Sequence, residues 1–116
     1  MNVLMIEPGA LPRQTEIQDN LAAMQQAVGG PIQAIYPFPE SVALICHEEG
    51  KLIGLPLNRA LRDEDGEIYD IIAGPFFLCG APPDSENFTS LTPEQMSHYE
   101  KRFHRIELYL RRSDTR

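Results

Sequence analysis

The stretch from Gly54 to Gly80, G-L-P-L-N-R-A-L-R-D-E-D-G-E-I-Y-D-I-I-A-G-P-F-F-L-C-G, constrains the fold more than any other part of this chain. Leu55 to Leu61 is short and mixed and reads as a short helix or loop. Asp63 to Gly66 is a tight turn. Ile68 to Leu78 is apolar and β-prone, broken only by Asp70 and by Gly74-Pro75, and reads as the most buried strand of a small domain. A functional site is expected along the rim of this segment.

The flanking chain supplies short elements to pack around it. Asn2 to Ile6 and Pro12 to Ile17 read as a strand pair joined at Glu7-Pro8-Gly9. Leu21 to Val28 is rich in good helix formers, with Leu21, Met24 and Val28 on one face and Gly29-Gly30 as its stop. Pro31 to Phe38 reads as a strand with Ile32, Ala34 and Tyr36 on one face. Ser41 to His47 is nearly all apolar and reads as a central strand. Glu48 to Lys51 makes a hairpin turn from which Leu52-Ile53 returns, and Ala81 to Ser90 is loop by composition.

The strongest local signal is L-T-P-E-Q-M at 91–96. Thr92 is placed to cap a helix, Pro93 to occupy its first position and Gln95 to close a capping box, with Leu91 and Met96 as a hydrophobic staple. Met96, Tyr99, Phe103, Ile106 and Leu110 then recur at helical spacing. This predicts a long C-terminal helix packed on the domain's own sheet. Leu108 and Tyr109 fall off that stripe and suggest a second contact, with a homodimer partner as one option.

At 116 residues, 42% hydrophobic and 23% charged, the chain is of single-domain, globular composition, and ten prolines predict many short elements. The expected division is one α+β domain over residues 1–112 and a disordered tail over 113–116. The expected architecture is a mixed, mainly antiparallel sheet of about five or six strands, a short helix in the N-terminal half and the long C-terminal helix.

Charge narrows the partners. The first 100 residues hold 4 basic and 15 acidic side chains, and the last 16 hold 6 and 2. An acidic body disfavours general nucleic-acid binding, which rests on cationic contacts to phosphate. The basic end fits a solvated helix terminus, where cations complement the helix dipole. No apolar run approaches the ~18 residues of a membrane span, and the start M-N-V-L-M-I-E-P lacks a signal-peptide pattern, so the cytoplasm is the expected compartment.

Candidate chemistry is sparse. Asp63-Glu64-Asp65-Gly66 resembles part of a calcium loop, but Leu61 and Ile72 would fall where the first and last oxygen ligands are required, so a hairpin turn is the expected role and no metal is expected. Cys46 and Cys79 lack a metal-ligand pattern and sit in apolar runs, where buried thiols are common. His47, His98 and His104 are scattered, and Cys46 and His47 point to opposite faces of one strand. No cofactor or catalytic residue is indicated. Two binding readings remain. Asn58, Arg59 and Arg62 could grip a small nucleotide-like anion, Arg through its bidentate fork, unless the arginines pair with Asp63, Asp65 or Asp70. Tyr36-Pro37-Phe38-Pro39 could form an exposed patch for a protein, or core plus a turn.

Several long motifs carry a resemblance: V-L-M-I-E-P-G at 3–9, G-G-P-I-Q-A-I-Y-P-F at 29–38, A-L-I-C-H-E-E-G-K-L at 43–52 and the 55–80 segment. Together they resemble a family of small phage and mobile-element proteins of Gram-positive gut bacteria classed as a domain of unknown function. The resemblance spans roughly residues 1–103. It implies no catalytic residues. It implies an accessory protein acting by binding, for instance blocking a host-defence protein, sequestering its nucleotide signal or acting on a protein of its own element. The leading expectation is therefore a non-enzymatic interaction protein whose surface includes Asn58, Arg59, Arg62, Asp63, Asp65, Tyr36 and Phe38; the alternative is the small-anion binder.

Overall fold

The structure is a computed structural model that describes residues 1–109. Seven strands and two helices follow one another as β1 (Asn2–Ile6), β2 (Arg13–Glu16), α1 (Leu21–Val28), β3 (Ile32–Ile35), β4 (Val42–His47), β5 (Leu57–Arg62), β6 (Ile68–Ala73), β7 (Phe76–Gly80) and α2 (Pro93–Arg102). Five strands form one sheet in the order β2-β1-β7-β4-β3, while β5 and β6 form a separate hairpin. Every pairing is antiparallel, so the expected mixed sheet is instead two antiparallel ones.

The sheet is apolar on both faces because its inner strands alternate apolar residues with apolar residues. Val3, Met5, Ala43, Ile45, Phe77 and Cys79 face α1, which contributes Met24 and Val28. Leu4, Ile6, Val42, Leu44, Cys46, Phe76 and Leu78 face the other way, where Leu61 and Ile72 of the hairpin and Met96, Tyr99 and Phe103 of α2 cover them. A strand buried on both faces loses the polar alternation of a half-exposed one. All six residues of β4 and all five of β7 are buried for this reason.

The 54–80 segment departs from its sequence reading in two places. Leu57–Arg62 is a strand, not a helix or loop. The apolar run expected as one strand is two, in different sheets, because Gly74 takes a φ of +82° and Pro75 follows it. That corner carries the chain from the hairpin into the sheet's interior. Leu52 and Ile53, expected to begin a return strand, lie exposed in a run of turns closed by Leu55 N–H on Gly50 O.

Helix α2 has the expected start. Thr92 Oγ1 accepts from Gln95 N–H at 3.1 Å, and Gln95 Oε1 accepts from Thr92 N–H at 3.0 Å. It is not long, however: it spans 10 residues and ends at Arg102. The stripe through Ile106 does not extend it, because the Phe103 carbonyl accepts from a side chain on β5, and the chain beyond runs to where Glu107 meets Ala60 and Arg62. Leu110, the domain boundary at 112 and the 113–116 tail lie outside the described residues. Among the described residues no helix is long and apolar enough to cross a membrane.

Candidate functional site

The residues singled out by sequence divide into two groups, one interior and one at the surface. Asn58 and Arg59 are interior, each with no solvent exposure. Asn58 Nδ2 donates to Ile6 O and to Gly74 O, both at 2.9 Å, tying β1 to the Gly74 corner. Arg59 donates from Nε to Phe103 O at 3.1 Å, from Nη1 to Asn58 Oδ1 at 2.9 Å and from Nη2 to Ala10 O at 2.7 Å. Its fork thus joins the end of α2, strand β5 and the β1–β2 connection. Burial lowers the Arg59 pKa, and the nearby Glu107 and Tyr109 act against that shift. A cation at the C-terminal end of α2 also meets the negative end of the helix dipole.

Arg62 sits at the surface and pairs with Glu107 at 2.9 Å rather than with Asp63, Asp65 or Asp70. Glu107 also accepts from Ala60 N–H and from the Tyr109 hydroxyl. The fold therefore does not gather Asn58, Arg59 and Arg62 around a shared cavity. Sequence reasoning missed Glu107, whose partners on β5 stand 45 or more positions away in the chain.

The acidic turn is built by Asp63. Its Oδ1 accepts from Asp65 N–H and Glu67 N–H, both at 2.9 Å, and Gly66 supplies the positive φ of +81°. That use of the side chain is an Asx-type turn. Among the described residues no cluster of His, Cys, Asp and Glu is arranged to hold a metal ion.

The aromatic pair divides as well. Phe38 is buried against Tyr99 and Phe103, with the Arg102 guanidinium 5.0 Å above its ring. Tyr36 is 63% exposed. A depression of about 610 Å³ lies between the Pro37–Pro39 turn and the hairpin, lined by Arg62, Asp63, Asp65, Tyr69 and Arg102 among others. It brings three of the predicted residues together with the proline cluster. Leu52 is 81% exposed, Tyr69 55%, and Ile53 and Ile68 are also exposed. Leu52 shares a second cleft, of about 300 Å³, with residues of β3 and β6.

Both cysteines and His47 are engaged within the fold. Cys79 faces the α1 cluster, and burial pushes its thiol up to about 12, with Asp19 adding to the shift. Burial also raises the Cys46 thiol, which donates to Gln33 O; Asp70 adds to that rise and Lys51 opposes it. His47 Nδ1 accepts from Glu49 N–H at 2.9 Å, and the ring packs so tightly on Gly30 that a Cβ there would clash with Nε2. The imidazole thus serves as a turn cap.

Fold and surface define an α+β domain in which a five-stranded antiparallel sheet is covered by one helix on one face and by a hairpin and a second helix on the other. The chain belongs to the family described as a domain of unknown function (DUF3846), which matches residues 1–104. No curated protein and no solved structure matches it.

Proposed function

We propose that this protein is a non-enzymatic interaction module that binds another protein through the face bordered by β3, the 50–54 turns and β6. The observation that carries the reading is a pair of clefts that both include residues of β6, one lined by the exposed Leu52 and the other by the exposed Tyr69. Exposed apolar groups scattered singly need no explanation, whereas a cluster rimmed by polar residues marks a contact surface. Tyr and Arg, both present here, are the residue types that dominate binding energy at interfaces. Arg62, Asp63 and Asp65 supply the polar rim beside Tyr69. The setting we place it in, an accessory of a phage or mobile element acting on a host-defence protein, rests on the resemblance of its motifs alone, and its cytoplasmic placement on the sequence pattern. The anion-binding alternative draws no support from the geometry, since Asn58 and Arg59 spend their donors on interior acceptors.

Affinity capture from host extract, quantified by mass spectrometry, tests the proposal. The wild-type chain retains a protein in near-stoichiometric amount. Tyr36→Ala/Tyr69→Ala retains less than about a tenth of it, which corresponds to ~1.4 kcal/mol. Gln26→Ala on the exposed side of α1 retains all of it. Equal retention by the double variant, or no specific retention by the wild type, contradicts the proposal.

A further inference from the structure

Two sheets give four outer strands: β2 and β3 on the large sheet, β5 and β6 on the hairpin. An outer strand presents unpaired N–H and C=O groups to any extended chain, and proteins usually blunt such edges with charge or cover. Three of the four are blunted here. Strand β2 reads R-Q-T-E, with Arg13 paired to Glu7 and the Gln14 amide donating to Glu100. On β5 the Ala60 N–H donates to Glu107 Oε2 at 3.2 Å. On β6 the Ile71 N–H donates to the carboxylate of Asp70 at 2.8 Å, and that carboxylate also holds Lys51.

Strand β3 has no such guard. It reads I-Q-A-I and carries no charge. Its outward groups follow from the register. Glu48 N–H donates to Pro31 O, so Pro31, Gln33 and Ile35 are the hydrogen-bonded partners of Glu48, Cys46 and Leu44. Antiparallel ladders alternate, which turns the N–H and C=O of Ile32 and Ala34 away from β4. Among the described residues nothing takes up the N–H of either. The edge borders the 300 Å³ cleft, where Ile35, Leu52 and Ile72 supply apolar wall. Lys51 and Asp70 neutralise one another there, while Glu48 and Glu49 pair with no cation among the described residues. The cleft therefore combines an apolar wall with a net negative charge.

We infer that β3 is a docking edge for an extended, basic segment of a partner protein, which adds to the sheet as a sixth strand and sets alternate side chains in the cleft. This deepens the proposed function and rests on it. Strand addition takes affinity from the backbone and selectivity from pockets that receive every second side chain. Lys or Arg suits this cleft because the aliphatic stem can lie on Ile35 and Leu52 while the head reaches Glu48 and Glu49. The two outward-facing residues offer at most two donors and two acceptors, which sets a modest, micromolar affinity that the rest of the face must augment.

The test uses the full chain and a synthetic peptide, acetylated and amidated, of alternating Lys and Val over seven residues. Its comparators replace every Lys with Glu, or N-methylate the Val amides. Titration by calorimetry and amide chemical shifts gives a dissociation constant below roughly 1 mM for the Lys peptide, with shifts at residues 32–36 and 48–52. The Glu peptide and the N-methylated peptide bind at least about tenfold more weakly. In the protein, Ala34→Pro removes an outward N–H and leaves the β4 ladder whole, as proline is tolerated on an edge strand; it also weakens binding at least about tenfold. Should that variant fail to fold, the N-methylated peptide decides alone. No binding of the Lys peptide, equal binding of the Glu peptide, or indifference to N-methylation overturns the inference. So does dimerisation through this edge, seen as concentration-dependent sedimentation abolished by Ala34→Pro. Binding that appears only in a chain ending at Tyr109 also overturns it, by making the protein's own basic end the occupant. Captured partner lost by Tyr36→Ala/Tyr69→Ala but kept by Ala34→Pro sinks the edge inference and leaves the proposed function standing.

Discussion

Replacing Arg59 with alanine separates a structural guanidinium from a binding one. Three acceptors, Phe103 O, Asn58 Oδ1 and Ala10 O, lose their donor. Each buried acceptor left unpaired costs about 1–3 kcal/mol, or roughly 2–6 kcal/mol for Phe103 O and Asn58 Oδ1, and the part-buried Ala10 O adds less. Relief from burying the guanidinium offsets several kcal/mol of this, since a desolvated charge is itself costly. The net expectation is about 2–4 kcal/mol, because the neutral acceptors left unpaired and the space left by the buried side chain outweigh that relief. That is a large share of a stability of about 5–15 kcal/mol. Urea unfolding followed by circular dichroism measures it, with Arg62→Ala as the comparison. The Arg62 pair with Glu107 is partly exposed on the arginine side, so that variant loses no more than about 1 kcal/mol. Arg59→Lys falls between, because one ammonium cannot span the three acceptors. A loss below about 1 kcal/mol in Arg59→Ala would refute the reasoning and return Arg59 to the list of residues kept for a ligand.

Three further outcomes are expected. Raising the pH destabilises the fold: the Cys79 thiol, about 12 when folded against 9.0 as a free group, and the raised Tyr99 hydroxyl both hold their protons more tightly in the native state. Their contribution is complete below about pH 9 and is lost as the pH climbs towards 12, at up to about 1.4 kcal/mol per pH unit for each group, so the urea midpoint at pH 10.5 lies below that at pH 8. Gly74→Ala forces a Cβ onto a residue with φ +82°, 2.6 Å from Leu55 Cδ1, and costs about 1–3 kcal/mol by thermal unfolding. Thr92→Ala removes the cap at Gln95 N–H and costs about 1 kcal/mol in the same assay.

Signals confined to a few neighbouring residues were legible before the structure. Thr92, Pro93 and Gln95 announce the start of α2, and Gly29, at φ +86°, announces the end of α1. Both are settled by hydrogen bonds within one turn. Strand β4 was legible because an unbroken apolar run bounded by turns has few other places to go. Strand β5 was not. Its Asn58 and Arg59 break any apolar pattern, and both are buried by acceptors from Ile6, Ala10, Gly74 and Phe103, far away in sequence. The same long-range contact ends α2 early, where the periodicity of Ile106 suggested continuation. At the candidate site, Arg62, Asp63, Asp65 and Tyr36 lie at the surface, whereas Asn58 and Arg59, grouped with Arg62 by sequence, are interior. The division of Tyr36 from Phe38 was not legible, since adjacent prolines fix the turn but not which ring meets Tyr99.

Hydrogen–deuterium exchange with and without the captured protein tests the binding face most directly. Peptides covering residues 32–37, 50–54 and 68–72 are expected to gain protection on complex formation, while those of β2 and α1 stay unchanged. Protection confined to β2 and α1, with 32–37 and 68–72 exchanging as in the free protein, would contradict the assignment of the β3–β6 face as the surface this protein uses.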